Sequence, residues 1–293
     1  MRIRKSNILI ILLMLIPGIL IYVFLVLYPI VQSAIFSLYK MPTIDTQVFV
    51  GPRNYIGVFS DTIFWKPLVN TLIFMVVTTF FQVLLGFIFG YLLFLRLKAY
   101  KFFSIVLFMP AVLSSVAVGY IWGYIYSPAF GLLQPFMKLI GLGQYYQAPL
   151  ASPSLALDFT IVVYIWASMG VPIMMLNAGF MNMPEDILEG AAMDGASGWK
   201  KIYYMVIPLS WDIVKIILIL QVIGGLRAFD LIYVMTSGGP NHSTEVLTMN
   251  LFNYAFTNFN LGYGSVVSMV IFFIAFTLTM ILRKSMFRES LQN

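Results

Sequence analysis

Side chains able to do chemistry are few in this chain, so their placement carries most of the information. One histidine, no cysteine and eleven acids in 293 residues supply neither a thiol nucleophile nor the neighbours for a metal centre or a Ser-His pair. No Gly-x4-Gly-Lys-Ser/Thr phosphate loop occurs, so the chain cannot hold ATP in that manner. The reading therefore assigns no catalytic residue, metal or cofactor to the chain itself. The acids are unevenly spread. Glu185, Asp186, Glu189 and Asp194 fall within Pro184–Pro208, between two apolar runs. A second, sparser set lies inside the apolar runs themselves: Tyr164, Ser168, Gln221, Gly225, Arg227 and Asp230. Carboxylates in a short loop suit docking of a partner. Isolated amides and hydroxyls at membrane depth suit either helix packing or a polar solute.

The elements that hold these groups follow from the apolar pattern. Hydrophobic residues make up 61% of the chain, charged residues 10%, and the mean hydropathy is +0.93. An ordinary soluble domain carries about a quarter charged residues. Residues 6–39, 67–95, 102–137, 159–184 and 246–282 contain no Asp, Glu, Lys or Arg, and each exceeds the roughly 20 residues that cross a bilayer core. A sixth run at about 213–235 is interrupted by Lys215, Arg227 and Asp230. The expectation is an all-α, polytopic protein with six transmembrane helices at about 8–30, 68–95, 102–126, 158–181, 213–235 and 264–282, forming one domain over 1–293. The first run follows Arg2, Arg4 and Lys5, but it is too long for a signal-peptide core and lacks a small-x-small cleavage site, so it reads as a retained helix.

Charge sets the orientation. With the N-terminus inside, twelve cations collect on the cytoplasmic side, against Lys40, Arg53, Lys66 and Lys138 outside. The positive-inside bias thus places both termini, and the loop 182–212, in the cytoplasm. The net charge of +6 sits in short clusters beside the spans, which points to membrane lipid and not to nucleic acid.

Within the loop, Pro184 followed by Glu185 and Asp186 suits a helix start, with Asn182 as a possible cap. Small residues at Gly190, Ala191 and Ala192 let a backbone enter a groove, and Gly195 and Gly198 break the helix. A second helical run, Trp199–Val206, leads to Pro208 and the next span. Glu189-Gly-Ala, Gly195 and Met205-Val-Ile-Pro208 resemble the EAA loop of ABC-importer permeases, with Gly190, Met205 and Ile207 departing from its usual Ala, Ile and Leu. Three further segments are similar to the carbohydrate-importer branch of that family: Phe49–Tyr55 leading to Asn70-Thr71, Gly225–Pro240, and Asn253–Tyr263.

The resemblance implies a type I ABC importer permease fold in the cytoplasmic (inner) membrane of a prokaryote. It implies that Glu189, Gly190, Ala191, Ala192, Asp194 and Gly195 form a coupling helix that docks on an ATPase. The partners it implies are a second homologous permease, as a heterodimer, two ATPase subunits that bind ATP and Mg²⁺, and an extracytoplasmic solute-binding protein. The solute it implies is a sugar, oligosaccharide or polyol, moved by alternating access.

Tyr164 and Ser168 lie four apart and share a helix face, while Gln221 and Gly225 sit in an otherwise apolar run. These four either contact solute or glue helices. Arg227 and Asp230, three apart, form either a local ion pair or an outer gate. Gln82 and Ser114-Ser115 read as packing groups, and His242 as a solvated loop residue. An ion-coupled carrier, the main rival, would need carboxylates inside the spans, and Asp230 alone serves poorly.

Overall fold

The computed structural model describes residues 5–43, 46–184, 186, 187, 190, 193 and 198–286. It divides into two compact units, Met1–Thr62 with Asn250–Phe272, and Ile63–Met249 with Phe273–Asn293.

In the first unit, α1 (Lys5–Tyr22) continues through a π turn into α2 (Tyr28–Phe36). The Met14–Phe36 stretch has a hydropathy of 2.5 and buries none of its length, as a lipid-facing span would. A two-stranded antiparallel hairpin follows, β1 (Tyr39–Thr43) and β2 (Thr46–Phe49), with Tyr39 opposite Phe49 and their rings edge-on at 5.3 Å. This hairpin departs from the all-helical expectation. Its Tyr and Phe pair gives the cross-strand contact that holds two short strands together.

The next helix, α3 (Arg53–Ser60), anchors the hairpin. Buried Asn54 donates to the carbonyls of Ser37 and Tyr39, both at 2.9 Å, and the Tyr55 hydroxyl meets Ser37 Oγ at 2.9 Å. The 253–263 segment packs on the same residues. A Cβ at Gly262 would lie 2.3 Å from the Tyr39 carbonyl oxygen, and one at Gly57 would lie 2.1 Å from the Tyr263 hydroxyl. Tyr254 also hydrogen-bonds the Asp61 carboxylate. Two distant motifs of the sequence, Phe49–Tyr55 and Asn253–Tyr263, thus form one interlocked structure within this unit.

The second unit is built on α4 (Thr62–Phe94). Its buried positions, among them Pro67, Asn70, Thr71, Phe74, Thr78, Gln82, Gly86 and Gly90, recur every three or four residues, while Val76, Phe80 and Leu84 are exposed. The polar stripe faces inward and the apolar one outward, the arrangement lipid demands. Thr71 and Thr78 return their hydroxyls to carbonyls four residues back, at 2.7 and 2.6 Å.

Around α4 pack α5 (Tyr100–Val112), α8 (Ala156–Ser168), α9 (Gly170–Met181), α10 (Trp199–Leu226), α11 (Asp230–Thr236) and the end of α13 (Leu261–Met286); α6 (Ser115–Ile125) packs on α11 and α8, and α7 (Leu133–Leu139) and α12 (Leu247–Phe252) lie in the connections. Glycine sets the closest approaches. A Cβ at Gly90 would stand 3.0 Å from the Ile173 carbonyl of α9, and one at Gly225 would stand 2.8 Å from Met75 Cα of α4. Small residues at such crossings let helix backbones meet. Beyond Gly90, Phe180 of α9 is buried against the rings of Phe87, Tyr91 and Phe94 at 5.3–6.1 Å.

Among the described residues, four stretches are long and apolar enough to cross a membrane unbroken: Met14–Phe36, Thr62–Phe94, Trp199–Leu226 and Leu261–Lys284. The number rises to six if each bent helix pair is one span. The expected third span is such a pair. α5 and α6 meet at 98°, because Leu113 and Ser114 are extended (ψ 145° and 134°) and cannot continue the helical ladder. The other bent pair is Gly143–Ala151 with Ala156–Ser168, at 83°, and α9 follows α8 after the single residue Met169, which keeps helical angles (φ −64°, ψ −19°).

The fifth differs most from expectation. Trp199–Val206 is the start of the span rather than a separate loop helix, and it takes a π turn over Ile202–Val206 just before Pro208. A wider turn accommodates a proline ring and its missing N–H. The span then ends at Arg227, not near residue 235.

The connection after α11 is clamped onto the start of α4. The Asn70 amide donates to the carbonyls of His242, Ser243 and Glu245 (3.2, 3.1 and 2.9 Å), and Lys66 Nζ donates to the Asn241 carbonyl at 2.6 Å. The Leu247 N–H donates to Thr71 Oγ1 at 2.8 Å. Removing Asn70 leaves buried carbonyls without their donor, at about 1–3 kcal/mol. Asn70→Ala is therefore expected to lower the thermal midpoint of the purified protein by several degrees; an unchanged midpoint would show that the clamp carries no stability. Gly90→Leu overpacks the α4–α9 crossing at about 1–3 kcal/mol or more. Gly18→Leu, where a Cβ meets nothing within 4 Å, should leave the midpoint in place. Equal behaviour of the two glycine variants, measured side by side, would refute the packing argument.

Candidate functional site

Two places in the second unit gather the functional candidates. The first lies at the interrupted helices. Gln82 is fully buried on the inner face of α4, and its Nε2 donates to Ser168 Oγ at 2.5 Å. Ser168, in the last turn of α8, donates in turn to the Tyr164 carbonyl at 2.5 Å. The Tyr164 ring packs edge-on against Phe74 with centroids 4.9 Å apart. Gln82 Oε1 has no protein partner and is buried. Because α5 turns sharply into α6 here, a cavity of about 130 Å³ opens among Ala111, Leu113, Ser115, Tyr164, Ser168 and Leu231. The lining combines hydroxyl groups, the tyrosine and short apolar side chains, a mixture suited to a small polyhydroxylated molecule.

The structure thus brings Tyr164 and Ser168 together, as their spacing predicts, and adds two groups that the sequence assigned to packing. Gln82 does pack, through its bond to Ser168, yet one of its polar atoms stays unpaired. Ser115 lines the cavity. The available signal was the lone amide in an apolar run, the same one that marked Gln221.

Near the end of α10, a Cβ at Gly224 would lie 3.6 Å from the Tyr164 hydroxyl, so this glycine leaves the hydroxyl uncrowded. Gly225 instead faces Met75 at packing distance, and Gln221 is half-buried. Arg227 and Asp230 are both exposed and form no ion pair with each other. The expected pair fails for a geometric reason. Arg227 closes α10, Phe229 leaves the helical region (φ −144°, ψ −64°), and Asp230 opens α11, so their spacing is not that of one helix. His242 is not simply solvated either, since its Nδ1 pairs with the buried carboxylate of Glu245 inside the clamp.

The second place is the loop expected at 182–212, whose part from Trp199 onward belongs to α10. Glu189, Ala191, Ala192, Asp194 and Gly195 lie outside the described residues. Asn182 is the C-terminal cap of α9: its N–H bonds back to Ala178 and Gly179. Met183 is buried beside Phe180, which ties the loop's entry to the bundle. Gly190 is exposed, and a Cβ there would meet nothing. Ile187, Met193 and Trp199 are exposed too, Met193 and Trp199 by 89% and 84%. Gly198, with φ +56°, makes the turn into α10, a conformation that other residues rarely adopt. Large exposed apolar side chains of this kind are the makings of an interface.

Among the described residues no group of His, Cys, Asp or Glu could hold a metal ion. No protein-family model matches the chain. Single proteins match it well. A probable ABC transporter permease, YurN of Bacillus subtilis (strain 168), is 30% identical over 275 residues, covering 93% of this chain and 94% of that one. The trehalose/maltose transport system permease MalF of Thermococcus litoralis is 29% identical over 276 residues, covering 93% and 92%. Among solved structures, a bacterial ABC transporter involved in the import of the acidic polysaccharide alginate superposes with a TM-score of 0.82 over 98% of this chain and 97% of that one, at 18% identity, which speaks for the fold. A sequence likeness of this extent, on a fold of apolar spans with breaks, places the chain among the ABC transporter permeases.

Proposed function

We propose that this permease moves a sugar or related polyol inward by alternating access, powered by ATPase subunits that dock on the loop 182–212. The observation that carries the solute half of this reading is the Gln82–Ser168–Tyr164 group beside its cavity, on the inner face of the unit. Relatives named for trehalose and maltose transport support a carbohydrate. Tyr164, Ser168 and Gln82 would contact the solute, with Gln221 and Gly224 at the approach from α10. Arg227 and Asp230, exposed at the end of that helix, would meet solute or binding protein before the cavity. Gly225 serves helix packing in this scheme.

The topology of the proposal has six spans, counting each bent pair as one, with both termini in the cytoplasm of a prokaryotic inner-membrane protein. Glu189, Gly190, Ala191, Ala192, Asp194 and Gly195 form the coupling element. A second permease completes the pathway as a heterodimer, two ATPases hold ATP and Mg²⁺, and a binding protein docks on the outer loops. A solved relative of the fold is described in complex with an oligosaccharide-bound periplasmic protein. Ion coupling has little to work with: Asp158, Asp212 and Asp230 are exposed, and buried Glu245 is engaged with His242.

Two measurements test the halves separately. In the assembled importer, Glu189→Lys should abolish most solute-stimulated ATP hydrolysis and uptake, since reversing a charge at a docking contact costs about 2–5 kcal/mol. Undiminished uptake by that variant would end the coupling reading. Ser168→Ala strands the buried Gln82 amide, at about 1–3 kcal/mol, and should raise the apparent KM for disaccharide uptake about fivefold or more while basal ATP hydrolysis persists. If KM is unmoved across a panel of disaccharides and polyols, the cavity is not on the solute path.

A further inference from the structure

The far end of the α4–α5 hairpin carries a feature that transport does not use. α4 approaches α9 through Gly86 and Gly90, and α5 approaches it through Gly170, whose added Cβ would lie 3.0 Å from Phe108 Cα. Both helices therefore pack on α9, and toward their joining turn a cavity of about 280 Å³ lies between them. Its walls are Leu92, Leu93, Tyr100, Phe103 and Leu107, and Lys98 stands at its rim. That volume is several times the roughly 30 Å³ that one water occupies, and a lining whose polar members are Lys98 and Tyr100 offers water few of the partners it needs.

The turn 95–99 is held tightly. Arg96 and Ala99 have positive φ (48° and 64°), and backbone bonds run from Arg96 to Leu93 and from Tyr100 to Leu97. The turn puts Lys98 in the lining of the groove, with Arg96 two residues before it and Lys101 three after it in the chain, all exposed. None has an ion-pair partner among the described residues. The sequence places no Asp or Glu anywhere between residues 62 and 157.

We infer that this groove is a binding site for an anionic phospholipid, with an acyl chain along Leu92, Phe103 and Leu107 and the headgroup phosphate on Lys98, Arg96 and Lys101. The two halves of the site select this ligand jointly. A free phosphate has no use for the apolar groove, and a zwitterionic lipid gains little from three uncompensated cations. Basic residues at a membrane surface favour anionic lipid by a factor of about five each. The groove shares no lining residue with the solute cavity, and the inference stands independently of the solute reading.

Native mass spectrometry of the full chain in mild detergent, titrated with phosphatidylglycerol and phosphatidylcholine of matched acyl chains, tests it. The wild type should bind phosphatidylglycerol at least about fivefold more tightly. Lys98→Gln should remove about fivefold of that preference, whereas Lys138→Gln, a cation on α7 away from the groove, should leave it intact. Leu92→Trp, on the exposed rim, should weaken both lipids by filling the groove. Equal affinity for the two lipids in the wild type, or equal losses from Lys98→Gln and Lys138→Gln, overturns the site. Competition by millimolar inorganic phosphate with full retention of binding by Leu92→Trp would reduce it to a surface anion site and overturn the lipid assignment.

Discussion

A helix in lipid satisfies its own backbone but not its polar side chains, and α4 carries five buried ones on one stripe: Asn70, Thr71, Thr78, Thr79 and Gln82. Four of them find a partner inside the protein or return to their own backbone, while the Thr79 hydroxyl stays unpaired. Thr71 and Thr78 return to carbonyls four residues back, Asn70 takes the carbonyls of the 242–245 turn, and Gln82 takes Ser168. The rest of the unit is arranged by these choices. Asn70 decides where the connection after α11 lies, and Gln82 decides which face of α8 points inward. The apolar side of α4 is left to lipid, with Val76, Phe80 and Leu84 all exposed.

Close packing and open space in this unit share a cause. Where glycine sits at a crossing, as at Gly90 and Gly225, backbones come close enough that no side chain fits between them. Where the chain breaks, at Leu113-Ser114, α5 and α6 change direction by 98° and cannot fill the volume behind the break. The polar cavity lies at that point, and irregular backbone at membrane depth is tolerated only where protein or a polar cavity satisfies it. The serines there fit that rule: Ser114 is the residue before α6, and Ser115 is both the first residue of that helix and part of the lining.

The spans were legible because a charge-free run of adequate length has few alternatives in a protein. Their interruptions were not. Leu113-Ser114 carries no glycine or proline at the break itself, and Pro110 lies inside α5 without ending it. The start of α10 was hidden by Lys200 and Lys201, which read as loop although Lys201 is half-buried at the foot of a helix. Its end was hidden because Gly224-Gly225 fits a packing interface as well as a helix terminus. Within the site, Tyr164 and Ser168 follow from a spacing of four, a local property. Gln82 to Ser168 and Asn70 to Glu245 join residues 86 and 175 positions apart, and no local rule reaches that far.

The shape of α10 bears on how a distant partner could move the solute site. The helix runs from Trp199, beside the Gly198 turn, to Gly224, beside the Tyr164 hydroxyl. At 1.5 Å per residue those 25 steps span about 38 Å, roughly the full width of a bilayer with its headgroups. A rod of that length carries a displacement of its foot to its tip without needing a chain of side-chain contacts. Its weak point is near the foot, where the π turn over Ile202–Val206 precedes Pro208 and the hydrogen-bond ladder is irregular. Bending there would absorb part of a push from the loop and leave the tip still. The buried ammonium of Lys215, paired at 2.7 Å with the exposed Asp212 on the same helix, lies just beyond that point and stiffens the following turn. On the proposed coupling scheme, the fraction of loop movement that reaches Tyr164 is set by this short stretch, and the twenty residues above it simply follow.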